Sequence, residues 1–259
     1  RNSAVSLRRS AVCLYYCAMR RSCFLTLALV LAFVSVLLFW LYSTYNDPRN
    51  QDFIRWWRGG RSERASLATF QRDACPGAPF VLPADGYIGL LYADPGGPYS
   101  AANPHQGIDI FSNSEPGITP VYAAYDGYLT REAAWKSSLI IRVPDDPLDA
   151  GTQIWLYHTH MADREGNDYI ADDFPPGTSE FFVKQGTFLG YTGDYNGRSL
   201  RDIWVHLHFS IVKDDGNGRY SNELEFNNTL DPSPYLGMQL NYRCGSGSTG
   251  CVQDAACDS

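Results

Sequence analysis

Five histidines occur in the 259 residues, and they fall in three places: His105, the pair His158 and His160, and the pair His206 and His208. Imidazole is both the commonest metal ligand and the side chain best suited to move protons near neutral pH. The first place is PHQGIDI, residues 104–110, where Asp109 follows His105 by four positions. In a straight strand these two would share a face about 13 Å apart, so convergence on one ion requires a bend, which Gly107 can supply. Imidazole nitrogen and carboxylate oxygen both bind Zn2+ at about 2.0–2.2 Å, so the mixed pair suits that ion.

The second place is VHLHFSIV, residues 205–212, in which His206 and His208 alternate with apolar residues. Period 2 puts both imidazoles on one face, about 6.5–7 Å apart along the strand, close enough for one to bind a metal and the other to act beside it. The third is IWLYHTHMA, residues 154–162, where a strand pattern places His158 and His160 on one face. A metal with three protein ligands keeps a fourth position for water and lowers that water's pKa toward about 7. The remaining imidazoles could then take a proton or donate a hydrogen bond to a developing oxyanion.

The elements that must position these residues read as strands. From Cys75 to Lys213, short β-branched and aromatic runs alternate with Gly, Pro, Asn and Asp clusters, and no long amphipathic helix intervenes. Strands are predicted at 87–92, 108–111, 121–125 continuing after Gly127 to Leu129, 139–143, 153–158, 187–191 and 205–212. The acidic segment 162–180 is predicted as a surface loop, 214–243 as an irregular extension on the domain, and 244–259 as a tail.

Ahead of that domain, Phe24 to Tyr42 is apolar throughout and follows Arg8, Arg9, Arg20 and Arg21. About 20 apolar residues cross a hydrocarbon core as a helix, and arginines on the N-terminal side hold that end in the cytoplasm. An uncleaved anchor is expected, with a cleaved signal peptide as the alternative. The first Met is Met19, so residues 1–18 are read as upstream translation. Residues 44–74 read as a juxtamembrane linker, partly helical around Phe53 to Trp57.

A net charge of −7, with no Lys/Arg stripe after residue 65, argues against a nucleic-acid partner. Cys75, Cys244, Cys251 and Cys257 lie beyond the membrane segment, an even count that suits one or two disulfides in an exported region. The pairing is not readable from sequence, and no Cys-x-x-Cys pair supports a cysteine zinc site.

In this order and spacing, the three histidine motifs resemble those of the lysostaphin/LytM-type zinc metalloendopeptidases: His-x-x-x-Asp, a lone His after an aromatic-rich strand, then His-x-His. Further matching pieces are Pro120 to Ala124 with Gly127, Val183-Lys184-Gln185-Gly186, and Leu189-Gly190-Tyr191-Thr192-Gly193. The resemblance covers about residues 85–213. It implies an all-β fold, a mainly antiparallel sheet with a groove and long loops, after one N-terminal transmembrane helix. It implies zinc held by His105, Asp109 and His208, with His160 and His206 catalytic. His160 is selected over His158 because the family's lone histidine is usually followed by Leu or Met, here Met161. Departures are a long loop after His160, Val205 in place of a common Pro, and Ser210 in place of a common Glu.

The expected organisation is therefore residues 1–22 cytoplasmic or untranslated, 23–43 an anchor, 44–74 a linker, 75–213 a zinc peptidase domain, and 214–259 an extension with a Cys-rich tail. The implied substrate is a peptidoglycan peptide, cut outside the cytoplasm. Alternatives are a silent peptidoglycan-binding module of the same fold and a peptidase acting on proteins.

Overall fold

The structure, a computed structural model, describes residues 3–46, 48–70, 73–197 and 203–244. By their contacts the residues form two units, Arg1–Gln51 and Asp52–Ser259. The first contains helix α1 (Ser3–Tyr45), whose Phe24–Tyr45 stretch of 22 residues is apolar and has no buried share. At 1.5 Å per residue it spans about 33 Å, enough for a hydrocarbon core of about 30 Å. It has the length and composition of a membrane anchor, and a signal sequence near an N-terminus has the same character.

Helix α2 (Pro48–Arg58) begins on a proline, which costs a helix nothing at its first position. Phe53 and Trp56, three residues apart, share one face of it, and Trp56 is buried against Tyr87 and Phe111. A short helix α3 (Arg61–Leu67) follows. Residues 52–70, expected as linker, thus pack within the second unit.

The sheet is antiparallel throughout. Its strands are β1 (Tyr87–Leu90), β2 (Ile108–Phe111), β4 (Gly127–Thr130), β5 (Leu139–Val143), β6 (Ile154–Thr159), β7 (Phe181–Val183), β9 (His206–Lys213) and β10 (Thr229–Leu230). They run in the order β1-β2-β9-β6-β5-β4-β7, with β10 also on β9. A second sheet pairs β3 (Pro120–Tyr122) with β8 (Phe188–Tyr191).

Most predicted strands are present within a residue or two of the expected limits. The run expected as one strand from Val121 to Leu129 is instead two strands in two sheets. Gly127 starts the second of these, and a Cβ there would overlap the Arg142 carbonyl oxygen. Strands β7 and β10 are additional. The segment 162–180 is less solvated than its composition suggests, since Ile170 and Phe174 enter the core. The 214–243 extension likewise contributes Leu236, Met238 and Leu240 to the core and contains helix α4 (Ser233–Leu236). Cys75 and Cys244 are each disulfide-bonded. Cys251 and Cys257, with the tail 245–259, lie outside the described residues.

The pleat sorts core from chemistry. On β9, Leu207, Phe209 and Ile211 enter the main core, as Ile108 and Ile110 do from β2. Alternation then puts His206, His208 and Ser210, with Asp109 and Phe111, on the opposite face.

Candidate metal centre and the histidines beside it

Asp109 and His208 are direct partners across the β2–β9 pair, so their side chains rise together from one face. His105 lies just before β2, and the chain bends at Gln106–Gly107 to bring it over them. Gly107 has a second reason to be glycine. A Cβ there would overlap the Phe209 carbonyl oxygen and lie 2.9 Å from Ser210 Cβ.

Three donor atoms converge. His208 Nδ1 lies 2.8 Å from Asp109 Oδ1, His105 Nε2 lies 3.1 Å from His208 Nδ1, and His105 Nε2 lies 3.2 Å from Asp109 Oδ1. Three ligands of a tetrahedral zinc at about 2.0–2.1 Å stand about 3.3 Å apart, so this triangle is slightly tighter than a loaded site. All three residues are buried, and they form the metal-compatible cluster found among the described residues.

The outer partners fix which nitrogens face inward. His105 Nδ1 is 3.0 Å from the Leu91 carbonyl oxygen, which only accepts, so Nδ1 donates and Nε2 presents its lone pair. His208 Nε2 is 2.8 Å from Glu223 Oε1, and donation to that carboxylate turns Nδ1 inward. Two nitrogen lone pairs and a carboxylate oxygen then face one another, an arrangement that a cation satisfies. Without a cation, one proton on His208 Nδ1 meets the same need. Burial acts to lower the His208 pKa, but Glu223 and Asp109 carry it up to about 10. Burial would raise Asp109, yet His105, His206 and the hydrogen bond from His208 hold it well below the usual carboxylate range.

Beside this triangle stand two further imidazoles, His206 and His160, with ring centroids 4.4 Å apart. His206 Nδ1 donates to the Trp204 carbonyl at 2.6 Å, and His160 Nδ1 donates to the Tyr195 carbonyl at 2.7 Å. Each therefore keeps Nε2 as a lone pair, and His206 Nε2 lies 3.8 Å from Asp109 Oδ2. Burial lowers the pKa of both rings, and their mutual proximity lowers His160 further. Both are neutral bases at neutral pH.

His158 and His160, expected on one face, are separated. His158 is fully buried, packs edge-on against Phe209, and pairs with it across β6 and β9. Strand β6 ends at Thr159, and His160 takes φ +68°, a left-handed conformation that costs a non-glycine residue of order 1 kcal/mol. That turn breaks the alternation and swings His160 to the face of His206. Met161 N donating to Ser137 O at 2.9 Å secures the chain just beyond it.

Two residues carry no signal in the sequence. Glu223 lies 15 positions after His208 and returns through a turn closed by the Asp214–Tyr220 bridge. Its Oε1 also accepts from Ser210 Oγ at 3.2 Å. Tyr99 packs its ring 4.5 Å from His105, and burial, then Asp109 and Glu223, raise its pKa. Neither belongs to a spacing pattern, because loops rather than strands deliver them.

No protein-family model matches the chain, and no curated protein matches it by sequence. Solved structures do. The antimicrobial peptidase lysostaphin from Staphylococcus simulans is 19% identical, with 57% of this chain covering 49% of that chain at a TM-score of 0.36. The catalytic domain of the prophage-encoded M23 protein EnpA from Enterococcus faecalis, in a mutant form, is 24% identical, with 57% of this chain covering 91% of that chain at a TM-score of 0.34. A zinc-containing peptidase from Vibrio cholerae is 18% identical, with 61% of this chain covering 40% of that chain at a TM-score of 0.30. The match thus spans about half of lysostaphin's length. All three TM-scores lie below 0.5. Lysostaphin and the Vibrio cholerae protein are described as peptidases, and EnpA as an M23 protein.

Proposed function

We propose that this chain is a zinc-dependent endopeptidase, anchored by Phe24–Tyr45 with its second unit outside the cytoplasm, that hydrolyses peptide bonds of peptidoglycan. The observation that carries the reading is the convergence of His105 Nε2, Asp109 Oδ1 and His208 Nδ1 within 3.2 Å, beside the imidazoles of His160 and His206. A bound zinc ion supplies Lewis acidity, polarising a substrate carbonyl and acidifying a water.

The chain's own groups do the rest. His105, Asp109 and His208 would hold the ion, and Leu91 O and Glu223 hold the two imidazoles in the ligating tautomer. His160 and His206 stand with Nε2 unprotonated, so one accepts the proton of an attacking water. The same nitrogen, once protonated, returns that proton to the leaving amine. The other imidazole, its Nε2 likewise a lone pair, accepts a hydrogen bond that orients the attacking water. Such positioned acid–base groups contribute about 10²–10⁴-fold each. The substrate class follows from the resemblance of the motifs, and the anchor would hold the second unit close to a wall.

Turbidity loss of a peptidoglycan suspension by the full chain in detergent tests the reading, with mass analysis of released fragments. Clearing that stops with a chelator and in His208→Ala supports it. Clearing that survives both sinks the zinc mechanism, and a cleaved protein substrate with intact peptidoglycan moves the target to proteins.

A further inference from the structure

Helix α2 reaches the candidate catalytic histidines through a chain of aromatic rings. Trp56 packs on Phe111 with centroids 5.1 Å apart, and Phe111 packs on His206 at 5.1 Å. Trp56 and Phe53 also grip Trp204, at 5.6 and 5.4 Å, and Phe111 touches it at 6.0 Å. Trp204 is the residue whose carbonyl oxygen accepts the His206 Nδ1 proton at 2.6 Å. Two of the three rings holding Trp204 therefore come from α2, and the third rests on α2 through Trp56.

We infer that the juxtamembrane helix α2 is a positioning element of the proposed active site, with Trp56 and Phe53 setting the orientation and tautomer of His206 through Trp204 and Phe111. The inference rests on the reading of His206 as catalytic. Just past Trp204 the chain is tied by Ser112 N donating to Val205 O at 2.9 Å and His206 N donating to Gly193 O at 3.2 Å, but no proline stiffens Ile203 or Trp204 ahead of it. The carbonyl that fixes the ring therefore leans, from the Trp204 side, on the packing of a side chain that is itself 45% exposed.

Three further contacts tie Trp56 down. Its Nε1 donates to Asn113 Oδ1 at 3.2 Å, its carbonyl accepts from Arg64 Nε at 2.8 Å, and the Arg64 guanidinium lies 4.9 Å over its ring. Asn113 is two residues beyond Phe111, so α2 grips the end of β2 as well as Trp204. This aromatic cluster is separate from the main core, so loosening it disturbs His206 before it disturbs the sheet. The consequence is that the segment following the membrane helix is part of the catalytic apparatus rather than a spacer.

The test uses the full chain in detergent with Trp56→Ala, Trp56→Phe and Phe53→Ala. It measures bound zinc, kcat and KM on a soluble peptidoglycan fragment, and the nitrogen shifts of ¹⁵N-labelled histidine, which report the His206 tautomer. Misplacing a catalytic group by about 1 Å costs up to about 10²-fold. Trp56→Ala is expected to keep its zinc and a KM within about twofold, lose about tenfold or more in kcat, and lose the single Nδ1–H tautomer of His206. Trp56→Phe should recover most of kcat. A Trp56→Ala chain with kcat within about twofold and an unchanged tautomer would overturn the inference. If Trp56→Ala fails to fold, the same readouts on Phe53→Ala decide. If the unmodified chain cleaves nothing, the reading of His206 as catalytic fails, and the tautomer in the variants still decides whether α2 positions that ring.

Discussion

Glu223 Oε1 lies 2.8 Å from His208 Nε2, on the side of the imidazole opposite Asp109. One ring is thereby held between two carboxylates, one aimed into the candidate metal centre and one behind it. A carboxylate behind a ligating histidine fixes the tautomer and raises the ring's basicity, and losing it typically costs about 10–100-fold in metal affinity.

Glu223→Ala should therefore weaken zinc binding by about 10–100-fold, measured by competition against a chromogenic chelator. Glu223→Gln, which still accepts from Nε2, should lie between the variant and the parent. Equal affinities in all three chains would show that Glu223 only packs against the site.

Gly107→Ala should destabilise the second unit by about 1–3 kcal/mol, because its Cβ would overlap the Phe209 carbonyl and strand β9 would have to move. A parallel drop in zinc affinity is expected, since β9 carries His208. Thermal unfolding with and without zinc measures both effects, and an unchanged midpoint would contradict the close approach.

His158 gives a prediction about acid. Burial pushes its pKa down to about 3, with the Leu156 carbonyl only partly opposing, while an unfolded chain protonates histidine near 6.5. Between these values the unfolded state binds the extra proton, so stability is lost as pH falls from about 6.5 toward 3, by up to about 1.4 kcal/mol per pH unit. Among the described residues, His158 Nε2 also has no hydrogen-bond partner. His158→Phe should keep zinc and activity at neutral pH and unfold less steeply over that acid range. His160 shifts in the same direction but is present in both chains, so the difference isolates His158.

Much of this was legible beforehand, and for a physical reason. Strand period 2 is written in the side chains, so His206 and His208 could be placed on one face from spacing alone. The grouping of Asp109 with His208 came from the motif's resemblance, because pairing register between distant strands has no local pattern. His105 needed only the bend at Gln106–Gly107. The fate of His158 and His160 was not readable from periodicity, because one left-handed residue, His160 itself, cancels the alternation. The choice between them came from the motif's resemblance. Glu223, Tyr99 and the burial of Trp56 were invisible for another reason. Each depends on where a loop or a short helix returns in space, and no local pattern encodes that return.

Removing either neutral imidazole should separate chemistry from metal binding. His160→Ala and His206→Ala are each expected to retain zinc while losing about 10²–10⁴-fold in kcat. Loss of zinc in His206→Ala would instead make it a ligand, through its 3.8 Å approach to Asp109 Oδ2.

The most direct measurement is the zinc content of the purified full chain, by elemental mass spectrometry, beside His105→Ala, Asp109→Ala and His208→Ala. One zinc per parent chain, and less than about a tenth of that in each variant, is the predicted result. A parent chain that takes up no zinc from an equimolar solution, or one whose zinc survives all three substitutions, would contradict the metal centre on which the proposed mechanism stands.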